Sequence, residues 1–395
     1  MTLGNSFKRQ ALLAIFSQIK FGDLKLTLPD GTTHEFSGNQ KGPIADMILR
    51  SDSAIIRILG QGKMGFCEAF MLGEIDSDNL TNLIELAVLH DSYLEDQMKL
   101  QTWQKFWLKF QHWRNRNNQS GSKRNISFHY DLGNQFYSRW LDRTMTYSSA
   151  VFQSEADTLE DAQTRKYQKL AELADIQQGD RVLEIGCGWG GFAEYAAKEH
   201  GAHITGITIS KEQYDFAKHR LRTAGLDHMT DIVMQDYRKL DQRFDKIVSI
   251  EMFEAVGEKY WPLYFKTIAT CLKDGGKAAL QVITIDHKAF LEYRTQPDFI
   301  QKYIFPGGML PSIQALDAPL KIAGLALHSC QGYGQDYART LAEWKIRFKQ
   351  AWPELGTTAK FDDRFKRMWE LYLSYCEGGF KAGMIDVKQM LITHK

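Results

Sequence analysis

Val182-Leu183-Glu184-Ile185-Gly186-Cys187-Gly188-Trp189-Gly190-Gly191-Phe192 is the stretch that decides the fold. An apolar β-type run enters a glycine-rich turn directly, and a helical pattern follows. Glycines there permit positive φ and let a ligand approach the backbone closely. A bare G-x-G is shared with dinucleotide-binding enzymes and says little alone. Two details point elsewhere. The spacing is G-C-G-W-G-G, not G-x-G-x-x-G. Glu184 also stands inside the strand end, two residues before the first glycine. An acid there can accept from the ammonium of a methionine moiety, whereas a pyrophosphate would be repelled. Both details favour S-adenosylmethionine over a dinucleotide; a tight strand–helix turn with no ligand is the competing explanation.

Outward from this loop, apolar β-type runs alternate with helical patterns: Arg181 to Ile185, Ile204 to Ile207, Ile232 to Met234, Lys246 to Ile250 and Lys277 to Ile285. Such alternation predicts an α/β domain with a doubly wound, largely parallel sheet. Gly206-Ile207-Thr208-Ile209-Ser210 closes the next strand with no acid, so Thr208 or Gln213 would have to serve the ribose hydroxyls. Farther on, Asp236 is a candidate acceptor for an adenine amino group. Tyr237 is a candidate cover for the ring face, with ordinary core packing as the alternative.

The region before residue 126 reads differently. Lys25 to Leu28 followed by Pro29-Asp30-Gly31 reads as a strand entering a turn, Ala45 to Leu59 as helix then strand, and Asn79 to Leu89 as an amphipathic helix. These suggest a small α+β domain over 1–95. Residues 96–125 form a basic aromatic segment and linker. Lys99 to Arg124 holds seven basic residues and no acid, with Leu100, Trp103, Trp107, Phe110 and Trp113 near one helical face. That combination suits an anionic bilayer interface; a helix docked on its own protein with a solvated basic edge is the alternative. The catalytic domain is placed at 126–395.

Composition narrows the classes. The 395 residues carry a net charge of +1, so global charge selects no polyanion, and no nucleic-acid partner is expected. Five cysteines without a C-x-x-C pair argue against a disulfide framework and a zinc site, and no metal is expected. No run of 18 apolar residues occurs and no signal-peptide pattern opens the chain. The expectation is a cytoplasmic enzyme, peripheral on the inner membrane face.

Several ordered motifs give a family. They are His129-Tyr130-Asp131-Leu132-Gly133-Asn134, Met145-Thr146-Tyr147-Ser148-Ser149-Ala150, the glycine loop, Thr208-Ile209-Ser210-Lys211-Glu212-Gln213, Met252-Phe253-Glu254-Ala255-Val256-Gly257, Lys302-Tyr303-Ile304-Phe305-Pro306-Gly307-Gly308 and Asp336-Tyr337-Ala338-Arg339-Thr340-Leu341. With these the chain resembles the cyclopropane fatty-acyl-phospholipid synthases, including the mycolic acid cyclopropane synthases. The resemblance implies a class I methyltransferase core with a Rossmann-like sheet, preceded by a small α+β lipid-binding domain of sterol-carrier type. It implies transfer of a one-carbon unit from S-adenosylmethionine to a cis double bond of an unsaturated phospholipid acyl chain. A carbocation forms and a base then removes a proton.

In the family that base is bicarbonate, held by a glutamate, a histidine, a tyrosine and main-chain groups beside a cysteine and an isoleucine. Carried over, the glutamate is Glu254, the tyrosine Tyr337, the cysteine position Ser149 and the isoleucine Ile285. Tyr147 and Ser148 would face the cofactor's carboxylate end; Glu184, Gly186, Gly188, Gly190, Thr208, Gln213, Asp236 and Tyr237 complete the cofactor set. The resemblance also implies a homodimer. A reductase or desaturase partner is a further expectation.

Two departures stand out. Ser149 replaces the cysteine, and Ile283-Thr284-Ile285 replaces the family's His-Thr-Ile. Ile283 can neither hydrogen-bond an anion nor relay a proton, so the bicarbonate pocket is incomplete. A weakened base favours a methyl-branched or exo-methylene chain slightly over a cyclopropane. His287 is four residues past Ile283 and could reach back, although a solvent-facing loop histidine is the stronger expectation. A methyltransferase for a small hydrophobic acceptor and an inactive lipid carrier are the rival readings.

Overall fold

The computed structural model describes residues 3–90, 132–357 and 361–395. The basic aromatic segment at 96–125 and His129 to Asp131 therefore lie outside the described residues. The described chain divides into two compact units. One holds residues 3–90 with Gln296–Phe299 and Trp344–Met384; the other holds residues 132–295, Ile300–Glu343 and Ile385–Lys395.

The first unit is built on α1 (Leu3–Phe16), β1 (Phe21–Thr27), β2 (Thr33–Ser37), β3 (Gln40–Leu49), α2 (Asp52–Met71), β4 (Ile75–Asp76) and α3 (Leu80–Leu89). Its sheet has the order β2-β1-β3-β4. The sequence reading placed helix before strand over Ala45 to Leu59, and the structure reverses that order. Ala45, Met47 and Leu49 are buried at period two, which is strand geometry, and the helix begins only at Asp52. Gly60, Gly62 and Gly65 fall in α2, which kinks at Gly62, where φ is 56°, and Gly73 lies in the turn after it. Asn79 caps α3, accepting from the Asn82 amide at 3.1 Å. The unit also takes a long C-terminal helix, Asp363–Lys381. The sequence reading draws a single boundary before residue 126. The compact units interleave instead, because Gly378 brings that helix against α3: a Cβ there would lie 2.9 Å from Ile84 Cγ2.

The second unit is organised by α4 (Leu159–Ala174), β5 (Arg181–Ile185), α5 (Gly191–His200), β6 (His203–Thr208), α6 (Lys211–Thr223), β7 (Thr230–Met234) and β8 (Phe244–Ile250). It continues through α7 (Trp261–Cys271), β9 (Leu272–Ile285), α8 (His287–Tyr293), α9 (Ile313–Ile322), β10 (Leu325–Gly332), the start of α10 (Gly334–Leu355), and β11 (Ile385–His394). The seven strands run β10-β11-β9-β8-β5-β6-β7. All neighbours are parallel except β11, which is antiparallel to both β9 and β10. Val182, Leu183 and Ile185 of β5 and Ile247 and Val248 of β8 are almost wholly buried, as strands covered by helices on both faces require. From β5 the chain winds outward to β6 and β7, then returns to β8 on the other side of β5. That makes the carboxyl ends of β5 and β8 a topological switch point, where open α/β sheets bind ligands.

Candidate active site at the β5–β8 switch point

The glycine loop leaves β5 in a bifurcated turn. Gly186 and Cys187 both donate their amides to the Ile207 carbonyl at 3.0 Å, tying the loop to β6. Gly190, at φ 81°, caps α5, whose first amides therefore open at the loop. Gly186 has φ 84°, and a Cβ on it would meet Met252 Cγ at 2.6 Å, so this glycine is demanded both by its backbone and by the segment after β8. At Gly188 a Cβ would meet nothing within 4 Å. The loop is thus packed at one end and open at its tip.

Glu184 is 2 % exposed, and its Oε2 has no hydrogen-bond partner. Burial pushes its carboxyl up to about 8, against the pull of Lys166, Arg220 and the Ala193 amide. An orphan carboxyl oxygen beside an open loop tip fits a positively charged ligand group, such as the ammonium of S-adenosylmethionine, whose charge would favour the ionised carboxylate. Lys166, which the sequence reading missed, is fully buried on α4 and donates to Ser148 Oγ at 2.7 Å. Burial lowers its ammonium to about 7, although Glu251, Asp142 and Glu184 pull the other way. Tyr147 packs among Tyr137 and Trp140, and Tyr137 also meets Trp189, whose Nε1 donates to Asn134 Oδ1 at 2.7 Å. An aromatic wall therefore lines the stretch before Ser148.

The adenosine-side candidates are largely engaged with one another. Thr208 Oγ1 donates to Gln213 Oε1 at 2.9 Å and accepts from the Ser210 amide at 3.1 Å. Asp236 accepts from the Arg238 amide, Nε and Nη2 at 3.0, 2.8 and 2.6 Å. Burial alone would raise its carboxyl, but these donors hold it below the ordinary value. Tyr237 packs edge-on against Tyr264 at 5.4 Å, and burial lifts its hydroxyl to about 12.

The other half of the site lies past β8, and here the sequence reading needs a correction. It named Glu254, Tyr337 and the main chain at Ser149 and Ile285 as the groups around a bicarbonate ion and did not name Glu251. In the structure the Ser149 amide and Tyr337 both reach Glu251. The Ser149 amide and Gln281 Nε2 each donate to Glu251 Oε1 at 2.8 Å, and the Tyr337 hydroxyl donates to Glu251 Oε2 at 2.7 Å. Gln281 also donates to the Ser149 carbonyl at 3.2 Å and accepts from Gln389 at 3.0 Å, which extends the network to β11. The Ser149 hydroxyl turns away to the Ala150 carbonyl at 2.9 Å, so only the backbone of this residue serves the network. Glu251 has φ 50°, a conformation that a non-glycine residue adopts at a cost. Its own amide is fixed to the Gln281 carbonyl at 2.8 Å. A polar residue directly after a buried strand end was the available signal, but its partners come from three distant segments.

Glu254 follows on a short 3-10 turn, Phe253–Ala255. Its Oε1 accepts from the Ile283 amide, and its Oε2 is buried without a donor. Burial, then the charge of Glu251, raises its carboxyl to about 8. The backbone amide brought to this carboxyl is thus that of Ile283, while the Ile285 amide donates to Pro311 O at 2.9 Å. His287 does not reach back. Its Nδ1 pairs with Ser312 Oγ at 2.7 Å and its ring stacks on Phe290, so it is neither a base here nor a free loop histidine. Phe253 and Trp261 are core residues packed 5.5 Å apart. The segment after Ile300 is tied down by the Met309 amide, which donates to the Glu254 carbonyl at 2.8 Å.

Comparison with known proteins gives this geometry a family. The mycolic acid cyclopropane synthetase family model matches residues 117–390. A tuberculostearic acid methyltransferase of Mycobacterium tuberculosis is 40% identical over 94% of this chain and 88% of its own. A cyclopropane-fatty-acyl-phospholipid synthase of Escherichia coli is 38% identical over 88% of each. Among solved structures, the cyclopropane synthase MmaA2 from Mycobacterium tuberculosis superposes with a TM-score of 0.64 at 28% identity, covering 68% of this chain and 97% of that one. The mycolic acid cyclopropane synthase CmaA1, complexed with SAH and CTAB, gives 0.64 at 29% over the same shares. The glycine loop at the β5–β8 switch point, on a sheet these enzymes share, and matches running over most of the chain lead to one conclusion: the protein belongs to the mycolic acid cyclopropane synthetase family and is an S-adenosylmethionine-dependent methyltransferase of the cyclopropane-fatty-acyl-phospholipid synthase type.

Proposed function

We propose that the enzyme transfers a one-carbon unit to the double bond of an unsaturated phospholipid acyl chain, through a carbocation on that chain. The observation that carries this reading is the pair Glu251 and Glu254, which flank Met252, the residue whose side chain lies against Gly186 of the glycine loop. An alkene is a weak nucleophile, so it gains most from positioning and from stabilisation of the positive charge it develops. Bound S-adenosylmethionine supplies an electrophilic methyl group on a sulfonium. Glu184, through its unpartnered Oε2, is the seat for the cofactor's ammonium, with Tyr147 and Ser148 toward its carboxylate end. Gly186, Gly188 and Gly190 give it room, and Thr208, Gln213, Asp236 and Tyr237 form the adenosine side. The carboxyls past β8 lower the energy of a nearby cation, which must be shielded from water until it loses a proton.

The final product is the finer question. Ile283 in place of the family histidine, together with a relative named as a tuberculostearic acid methyltransferase, supports a methyl-branched or methylene chain over a cyclopropane. The acceptor is proposed to be met at a membrane surface on the cytoplasmic side, by a homodimer, with the small α+β domain at the N-terminus presenting lipid. A reductase or desaturase would be the partner that completes a saturated branch. No helix among the described residues is long and apolar enough to cross a membrane.

The test is mass spectrometry of unsaturated phospholipid vesicles after incubation with the enzyme and methyl-deuterated S-adenosylmethionine. Methyl label in the acyl chain is expected. All three deuterons kept with a shifted double bond would mean a methyl-branched alkene, and two kept with a double bond an exo-methylene chain. Two kept with no double bond would mean ring closure. Cofactor bound but lipid unlabelled would overturn the lipid reading in favour of a small hydrophobic acceptor.

A further inference from the structure

We propose that the Glu251 carboxylate is this enzyme's own proton acceptor, built into the chain at the position where the family resemblance calls for a bound bicarbonate ion. The inference rests on the acyl-chain reading above and names the group that ends the reaction.

The donors decide it. The resemblance gives an anion the main chain beside Ser149 and the hydroxyl of Tyr337. In this chain both already donate to the two oxygens of Glu251, at 2.8 and 2.7 Å. Gln281 adds a third donor at 2.8 Å. A free bicarbonate would have to displace the side chain to use the same groups, and Ile283 offers it no side-chain donor. The residues present do not fit the ion. They fit a carboxylate tethered to β8.

The backbone supports the same conclusion. Glu251 is one of three non-glycine residues with positive φ among the described residues. A strained conformation persists where the surroundings over-determine it, and such positions concentrate at functional sites. Holding φ at 50° is what turns the side chain back to the Ser149 amide and Tyr337 rather than along the strand. Three donors occupy three of the roughly four lone-pair directions of a carboxylate, so about one remains for a substrate proton. The next carboxyl, Glu254, is raised to about 8 by burial and by the charge of Glu251. Burial also raises the Glu251 carboxyl, but the hydrogen bonds from Gln281, Tyr337 and the Ser149 amide and the charge of Lys166 oppose that rise, whereas Glu254 has one backbone donor; the donors thus favour Glu251 as the member that carries the charge and accepts the proton.

The step balances without a further reactant. The alkene π pair forms the new C–C bond to the methyl as the C–S bond breaks, leaving a neutral thioether and a cation on the neighbouring carbon. A C–H bond beside the cation then breaks. Its electron pair closes a C=C bond or a ring, and its proton passes to a Glu251 oxygen and on to solvent.

Two measurements test this. The first is label transfer to unsaturated phospholipid vesicles in decarbonated buffer, with and without added bicarbonate. Wild-type rate is expected to be unchanged by bicarbonate. Glu251→Gln, which keeps the shape and loses the base, is expected to lose about 100-fold or more in turnover while still binding S-adenosylhomocysteine. Glu251→Gly is expected to recover part of that loss when bicarbonate or formate is added. The second is line broadening of 13C-bicarbonate by NMR: absent with wild type, present with Glu251→Gly. Bicarbonate stimulation of the wild type, bicarbonate binding to it, or a Glu251→Gln enzyme of near-normal turnover would overturn the proposal. Unlabelled lipid from the wild type would instead overturn the acyl-chain reading, and this proposal with it.

Discussion

The catalytic unit carries carboxyls at the ends of two adjacent strands, Glu184 buried and Glu251 and Glu254 partly buried, and the two ends are built differently. Glu184 closes β5 inside one contiguous motif with the glycine loop that follows it, although the cations that act on it, Lys166 and Arg220, come from α4 and α6. Glu251 and Glu254 follow β8, and the groups that orient them come from 149, 281–283 and 337. The first end leaves an oxygen unpartnered and a glycine tip open, as a site for a cationic ligand does. At the second, Glu251 already holds three donors, while Glu254 keeps one oxygen without a partner. The difference teaches that the glycine loop is written in one run of sequence, whereas the hydrogen-bond network past β8 is assembled by topology.

The sharpest way to break this division is at Gly186, where the glycine loop meets the segment after β8. Gly186→Val puts a side chain at φ 84° and into Met252, so cofactor affinity is expected to fall about 100-fold or more. Calorimetric titration with S-adenosylhomocysteine measures it, with circular dichroism confirming that the fold survives. Next in size is Glu184→Gln. Loss of a charge-assisted contact costs about 1.5–3 kcal/mol, so affinity for the cofactor should drop roughly tenfold or more while turnover at saturation stays close to wild type. A fall in kcat without a change in cofactor KM would mean the two ends do not separate as described.

Tyr337→Phe should give a smaller effect of the opposite kind. Removing one of three donors from the Glu251 carboxylate raises its proton affinity, so the acid limb of the kcat profile should shift upward, with a rate loss of about tenfold at neutral pH and cofactor KM unchanged. The smallest expected effect is on stability. The Glu254 carboxyl lies at about 8 when folded against 4.5 ordinarily, so the folded state binds a proton that the unfolded chain releases. Its contribution is most favourable below the ordinary value and is lost as pH rises from about 4.5 through about 8. Glu254→Gln should therefore show a shallower fall in Tm across that range than wild type, by a few degrees in a thermal scan. A wild-type Tm flat over the same range would place the proton elsewhere.

Much of this was readable before any coordinates. The strands β5 to β9 fell where apolar runs stand between helical patterns, because a strand buried on both faces must be apolar along its length. The glycine loop announced a ligand turn through local backbone chemistry. The reading failed where a segment suits two states locally, as at Ala45 to Leu59, and where a residue's role depends on who reaches it. Glu254 fitted the family motif in sequence, but nothing local announced that the Ser149 amide and Tyr337 would meet on Glu251. His287 stood at a plausible distance along the chain and turned to Ser312.

The sequence by itself determined the fold class, the cofactor loop and the family, since each rests on periodicities and turn residues whose physics spans a handful of neighbours. Only the tertiary structure decided which carboxyl the Ser149 amide, Gln281 and Tyr337 reach, and that the C-terminal helix packs against α3. Those outcomes depend on hydrogen bonds and close approaches between segments distant in the chain, such as the 102 residues from Ser149 to Glu251, which no local pattern specifies.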